Sequence, residues 1–417
     1  MSLARNRERS GRMTLQDITT DALVIGAGPA GLMAADALAG AGYSVLVADQ
    51  KPSVARKFLM AGKSGLNLTK AEPFDTFMTQ YGPHADVLRP MISRFGPDDV
   101  ANWAQGLGQE VFTGSTGRVF PKVMKASPLL RAWLARLDGM GVTVNTRWRW
   151  TGWQDGAALF DTPDGAVSVR AKATVLAMGG ASWRRLGSDG EWSNKLTRKG
   201  ILTVSFGPSN VGLTVPWSPH MAKSFGSPIK NARFFAGDME NRGEAVISAK
   251  GLEGGGIYPL APALREGATL HIDLMPDVIE DAIAKRLSKP RGKDSKSNAL
   301  RKALRLDPAK LALLMEYARP LPDAPQDIAK LVKALPITNA TLRPMDEAIS
   351  TSGGIPVEAM NDGLMLTDMP GVFAAGEMLD WDAPTGGYLL TACFATGLWA
   401  GQHAARWIAD QGSAAAF

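Results

Sequence analysis

Hydrophobic and polar positions change period along the chain. "ALVIGA", residues 22–27, is a continuous apolar run that meets its first glycine at Gly26, the pattern of a buried strand. "GLMAADALAGAG" follows with apolar residues at three-to-four spacing, which predicts a helix. "YSVLVAD" is a second apolar strand and ends on Asp49. "KATVLAMGGAS" and "MPGVFAAGEMLD" predict two more strands, closed by Gly179-Gly180 and by Gly376-Glu377. "GGYLLTACFATGLWAGQHAARWI" opens on Gly386-Gly387 and continues at helical spacing.

Between these pieces the pattern shortens. "ILTVSFGPSNVGLTVPW", "RFFAGD", "EAVISAK", "GIYPLAPAL" and "ATLHIDLMP" read as β-rich segments punctuated by Gly and Pro. "DVIEDAIAKRL", "NALRKALRL", "PAKLALLMEYA" and "PQDIAKLVKAL" read as helices, with Pro308 suited to a first turn. The expected fold class is α/β: a Rossmann-like, dinucleotide-binding FAD domain that is split in the sequence. It carries an inserted β-barrel-like domain and a helical subdomain. The expected boundaries are a disordered arm over 1–18, the first part of the FAD domain over 19–195, and a β-rich substrate domain over 196–276. A helical cap subdomain over 277–338 and the second part of the FAD domain over 339–417 complete the chain.

The first strand-helix-strand unit carries specific chemistry. Gly26, Gly28 and Gly31 form GxGxxG, with Pro29 and Ala30 inside it. Gly26 permits the tight turn, Gly28 lets the backbone approach a pyrophosphate, and Gly31 lets helix and strand pack closely. The helix start offers free N–H groups to the phosphates. Asp49 is placed to take the hydroxyls of an adenosine ribose, with Gln50 beside it. The unit alone does not choose between FAD and NAD. Its place early in a long chain favours FAD, as do the later glycine pairs. A strand ending in Gly376-Glu377 is suited to hold a ribityl chain, and the helix after Gly386-Gly387 aims its positive end at a flavin.

Composition narrows the class. The chain has 417 residues, 45% of them hydrophobic, enough for two or three packed units. Cys393 is its single cysteine, so disulfides and CxxC redox chemistry are excluded. The four histidines show no metal-ligand spacing, and no metal is expected. No apolar leader follows the basic start "MSLARNRERSGRM", which reads as the arm or as a start placed upstream of Met13, and no run is long enough to span a membrane. A cytoplasmic protein is expected. The net charge is +6, yet Lys285–Arg305 alone holds nine basic residues and one acid, a local +8, which leaves about −2 for the rest. That patch suits a phosphate backbone, so RNA is a candidate partner beside a small-molecule substrate. No aromatic residue interleaves it, so base stacking there is not expected.

Together the motifs resemble the YhiN/BaiN-type flavoproteins, the aminoacetone-oxidase-like NAD(P)/FAD-dependent oxidoreductases. The matching blocks are "VIGAGPAGLMAA", "RKFLMAGKSGLNLT", "GRVFPKVMKAS", "VLAMGGAS", "LGSDGEW", "ISTSGGI" and "VFAAGEMLDWDAPTGGY". The resemblance implies that Gly62, Lys63, Ser64 and Asn67 lie along the flavin ring. Lys57, Ala177, Asp380, Tyr388 and Leu389 join the cofactor set by the same match. Lys63, Asn67 and Tyr388 are the candidate catalytic residues, and Tyr388 either donates a proton or simply packs. Arg118, in "GRVFP", is a candidate partner for a carboxylate or phosphate. The chain departs from the pattern where relatives carry Gly-Gly-Gly-Arg-Cys-Asn. Here the six positions read "GKSGLN", so Gly65 and Leu66 replace the arginine and the cysteine. "GGYLLT" likewise puts Leu389 and Thr391 where relatives carry polar groups. These departures mark a divergent subgroup.

The resemblance implies NAD(P)H-driven reduction of a carbon–carbon double bond next to a carbonyl, in a small enone or an RNA uridine. Two alternatives stand beside it. One is an oxygen-using amine oxidase with Asp382 or Glu377 holding the ammonium. The other is an RNA- or ribosome-binding flavoprotein in which FAD is mainly structural.

Overall fold

The computed structural model describes residues 15–289 and 293–414. Residues 1–14 of the expected arm, and Arg291 of the basic stretch, lie outside the described residues. The remainder of the arm does not behave as one. The first strand, β1, runs Gln16–Ile25, so residues 16–18 are strand. Their side chains are mostly exposed, which hid them, but their backbone pairs with Val167–Val169.

β1, the helix α1 (Pro29–Gly40) and the strand β2 (Val45–Asp49) form the expected βαβ unit, with β1 and β2 parallel. The strand Thr143–Thr146 extends the sheet parallel to β2, and the long strand Gly165–Leu176 lies parallel to β1 on its other side. Val372–Ala374 pairs parallel with the end of that long strand. Ala157–Thr162 and Arg149–Gln154 continue from its start as an antiparallel meander. Ala22, Leu23 and Val24 are fully buried, as an apolar strand covered on both faces must be. The C-terminal helix Tyr388–Ala414 covers α1, and both belong to the core of this domain.

A second apolar core spans residues 213–337. Its antiparallel sheet has the order Leu335–Ile337, Leu270–Asp273, Pro228–Ala236, Met239–Ser248, Gly251–Glu253, Leu213–Thr214, Thr341–Leu342. The helices Glu280–Leu287, Lys296–Leu304, Pro308–Tyr317 and Pro325–Lys333 form where helical spacing predicts them. Sheet and helices share one core: Ile283, Leu300, Leu313 and Val332 pack into the cluster that holds Phe234, Ile247 and Ile272. Each helix has one apolar stripe, and the sheet offers the face that buries it. "GIYPLAPAL" differs from its β reading. It is a tight helical turn at Tyr258–Leu260 and a short helix at Ala261–Arg265. Pro259 and Pro262 lack the N–H that a strand ladder needs and fit a first helical turn.

The two bodies meet at a narrow neck. Val204–Ser209 leaves the dinucleotide-binding domain beside Ser350–Gly354, which returns to it, and the two strands pair antiparallel with Ser209 opposite Ser350. Val211, Ala261 and Ala348 form a small separate apolar cluster at this neck.

Candidate active site

A cavity of about 580 Å³ runs along the carboxyl end of the parallel sheet. That size suits a small-molecule site, for which about 300–1,000 Å³ is usual. Its first end is the glycine loop. Gly26 has φ +106°, and a Cβ there would stand 2.3 Å from the Ala177 carbonyl oxygen. A Cβ on Gly31 would stand 1.8 Å from the Gly26 oxygen. At Gly28 nothing lies within 4 Å of such a Cβ, so the backbone there faces open cavity at the start of α1. Asp49 closes the turn: its Oδ2 accepts from the Ala27 N–H at 2.9 Å and its Oδ1 from the Lys51 N–H at 2.8 Å. Burial pushes the Asp49 carboxyl above its usual range, against the pull of those two N–H groups. Gln50 donates to the Gly187 oxygen at 2.8 Å and to Asp189 at 3.1 Å.

The middle of the cavity holds an ion pair. Lys57 Nζ lies 2.7 Å from Glu377 Oε2 and donates to Ser182 Oγ at 2.9 Å. The other Glu377 oxygen accepts from the Thr351 N–H at 3.0 Å. Cys393 lines the same stretch, as do Ala177 and Gly179.

The far end is built by two glycines and a loop. Gly387 has φ +103°, and a Cβ there would stand 2.4 Å from Thr69 Cα. Thr391 donates to Thr69 Oγ1 at 2.9 Å and seals the C-terminal helix start onto the strand Thr69–Lys70. Gly386, Leu389, Ser64 and Asn67 line the cavity here. Asn67 Oδ1 is buried and has no hydrogen-bond partner among the described residues. A buried acceptor of this kind costs free energy until a donor arrives.

The cavity wall thus gathers Gly26, Gly28, Pro29, Ala30, Asp49 and Gln50 at one end. Lys57, Ala177, Gly179 and Glu377 follow in the middle, and Ser64, Asn67, Gly386, Gly387 and Leu389 at the other end. Other expected site residues stand behind the wall. Gly31 fills the space between helix and strand, and Gly62 packs against Ala126. Gly180 backs onto Thr351, and Gly376 onto Ala30. Asp380 accepts from the Gly353 N–H at 3.1 Å.

Two of the three expected catalytic residues lie off the cavity wall. Lys63 is exposed and does not line the cavity, because Gly62 ends the helix Arg56–Ala61 against Ala126 and the chain then turns outward. Tyr388 is 3% exposed and also off the wall. Its hydroxyl donates to Glu72 at 2.6 Å and accepts from Lys70 at 3.0 Å. Burial, helped by Glu72, pushes this phenol up to about 12. Asp382 is also committed: it accepts from Ser209 at 2.6 Å and faces Arg265 at 3.5 Å. Both acids considered for a substrate ammonium therefore already have partners.

Sequence reasoning missed the aromatic part of the wall. Trp148, Trp150, Trp183 and Trp192 line the cavity near Asp49. Trp148 donates its backbone N–H to the Asp49 oxygen at 2.9 Å. For Trp148 and Trp150 the signal was "RWRW", in which alternate tryptophans follow the strand next to β2. Arg56 and Gly65 on the wall were missed too, while Leu66, at the relatives' cysteine position, is fully buried in the core.

These residues fit FAD. The open backbone at Gly28 and the start of α1 would hold the pyrophosphate, and Asp49 the ribose. Asn67 Oδ1 is an acceptor waiting for a ring N–H such as a flavin pyrimidine carries. Among the described residues, no group of three or more His, Cys, Asp or Glu could hold a metal ion, and no helix is long and apolar enough to cross a membrane.

A Rossmann domain with this cavity defines an FAD-dependent oxidoreductase. The chain belongs to the HI0933-like family, whose Rossmann domain matches residues 20–403. It is similar to the 3-dehydro-bile acid delta(4,6)-reductase of Clostridium scindens, 26% identical over 92% of this chain and 98% of that protein. It is also similar to the ribosomal RNA dihydrouridine synthase of Escherichia coli K12, 25% identical over 88% of this chain and 94% of that one. The fold is shared with a flavocytochrome c3 fumarate reductase at a TM-score of 0.52, 17% identity, and coverage of 94% and 79%.

Proposed function

We propose that this chain reduces a carbon–carbon double bond conjugated with a carbonyl, using NAD(P)H as the source of hydride. The observation that carries the reading is Asn67. Among the described residues its buried amide oxygen has no partner, and it lines the same cavity as Gly386 and Gly387, which precede a long helix. FAD, when bound, supplies the centre that accepts hydride and passes it on. Asn67 would fix the edge of a ring carrying N–H and C=O groups. The backbone at Gly386-Gly387 lets such a ring approach without a side chain between. The start of the helix stabilises negative charge that develops on that ring or on the substrate oxygen. Hydride enters one alkene carbon and a proton from solvent enters the other. Ser64, Arg118 and Ile349 on the wall are exposed, so water reaches the cavity.

The reactions named for the two relatives, on a bile acid and on ribosomal RNA, both support this class. For this chain the substrate is a small enone or a uridine in RNA. The RNA arm draws on the basic stretch: Lys285, Arg286, Lys289, Lys293, Arg301 and Arg305 are all exposed. Two further lysines there are partly committed, Lys296 to Asp323 and Lys302 to Asp294.

The test is anaerobic addition of NADPH, then NADH, to the FAD-loaded protein while the visible flavin band is followed. Bleaching within seconds is the expected result. A band that survives both donors rejects the reductase reading and moves weight to an amine oxidase or a structural flavin.

A further inference from the structure

The proposed reaction leaves one charge of the cavity without a task. The basic side chains on the wall are Arg56, Lys57, Arg118, Arg149 and Lys195. Lys57 is held by Glu377 at 2.7 Å and Arg149 by Glu191 at 2.7 Å. Arg56 donates to Ser53 at 3.1 Å, and Lys195 stands 5.7 Å from the centre of the Trp150 ring. The Arg118 side chain has no hydrogen-bond, ion-pair or ring partner among the described residues.

Its position is specific. Arg118 opens the strand Arg118–Pro121 and lies opposite Lys70 in the ladder with Thr69–Lys70. A carboxylate is close by, but Glu72 is taken by Lys70 at 2.8 Å and by Tyr388 at 2.6 Å. Arg118 Nε stands 4.0 Å from where a Cβ on Gly386 would be. The exposed guanidinium is therefore beside Gly386, ahead of the helix start, in the same cavity as Asn67 and Ser64. A free guanidinium and a helix N-terminus converge there. A planar fork of donors suits one kind of partner, a carboxylate or a phosphate held by paired N–H bonds.

We propose that Arg118 anchors an anionic group of the substrate, a carboxylate or phosphate carried near the reducible bond. This rests on the reductase reading above and narrows its substrate class to anionic compounds. The pyrophosphate of the cofactor would be served separately, by the glycine loop around Gly28.

The test uses the FAD-loaded protein and two matched pairs of probes: acetylacrylate against its methyl ester, and uridine monophosphate against uridine. Dissociation constants are read from the change in the flavin spectrum. The anionic member of at least one pair should bind about ten-fold tighter or more, the scale of a hydrogen-bonded charge pair. The pair that shows the preference identifies the group as carboxylate or phosphate. Arg118→Gln should erase the preference, and Arg118→Lys should keep part of it, since charge remains and the fork is lost. Equal binding within both pairs by the wild type, or a preference that survives Arg118→Gln, would overturn the assignment. So would loss of bound FAD in Arg118→Gln, measured in the same samples, because the arginine would then serve the cofactor. NADPH is added last. An intact anion preference with no bleaching would end the reductase reading and leave the anchor standing.

Discussion

Cys393 lies on the cavity wall, with its sulfur 3.8 Å from where a Cβ on Gly376 would be. Burial, with Glu377 nearby, pushes its thiol up to about 12. The reactive form is the thiolate, so the native protein should resist alkylation at pH 8. Mass spectrometry after iodoacetamide treatment should find little label on the folded protein and full label in urea. Equal labelling rates would show that the thiol is open. At this scale the sequence spoke unevenly. Asn67, Lys57, Gly26 and Gly28 are on the wall because backbone motifs dictate their place. Lys63 and Tyr388 are not, because a side chain's direction depends on what packs behind it. Gly62 against Ala126 and Tyr388 against Lys70 and Glu72 are long-range neighbours, invisible in a string.

The two helices that frame the cofactor end depend on small residues. A Cβ on Gly397 would stand 2.2 Å from the Ala30 oxygen, and one on Gly401 would stand 2.7 Å from the Ala34 oxygen. Even a methyl group at Gly397 forces the C-terminal helix away from α1. Gly397→Ala should lower stability by about 1–3 kcal/mol, as overpacking does. It should also weaken FAD retention, since α1 starts at the phosphate loop. Thermal melting and bound-flavin absorbance check both, and an unchanged melting temperature would contradict the close approach. Elements were legible where the period was long. The four helices of the inserted body and the strands around each glycine pair form where the pattern puts them. Gln16–Asp17 and "GIYPLAPAL" were misread because backbone pairing and proline placement, not side-chain period, decide them.

At the scale of the whole molecule, two cores meet at one neck, and the basic stretch belongs to the inserted body. Under the RNA arm of the proposal, exposed cations on that body would run along a phosphate backbone while the cavity meets one base. Replacing Lys285, Lys289 and Arg301 with glutamine should weaken binding to a ribosomal RNA fragment. It should also flatten the salt dependence by about one unit of slope for every phosphate left unneutralised. Fluorescence anisotropy at several salt concentrations reads both quantities, and unaltered binding would remove RNA as the partner of that face. The split domain was legible because strands of one sheet lie on both sides of an unrelated stretch. The shared core of the inserted body was not, because the sequence shows each amphipathic helix without showing what it covers.

The neck has a further consequence for how such a protein diversifies. Ser209 and Ser350 face each other across one antiparallel pair, so the ends of the inserted body are about 5 Å apart. A segment that leaves and returns through adjacent positions can be exchanged as a cassette, because the host sheet sees the same two chain ends whatever lies between them. The cofactor machinery and the inserted body are thereby free to evolve at different speeds. A graft of a relative's segment between these two serines should yield a chain that still holds its flavin.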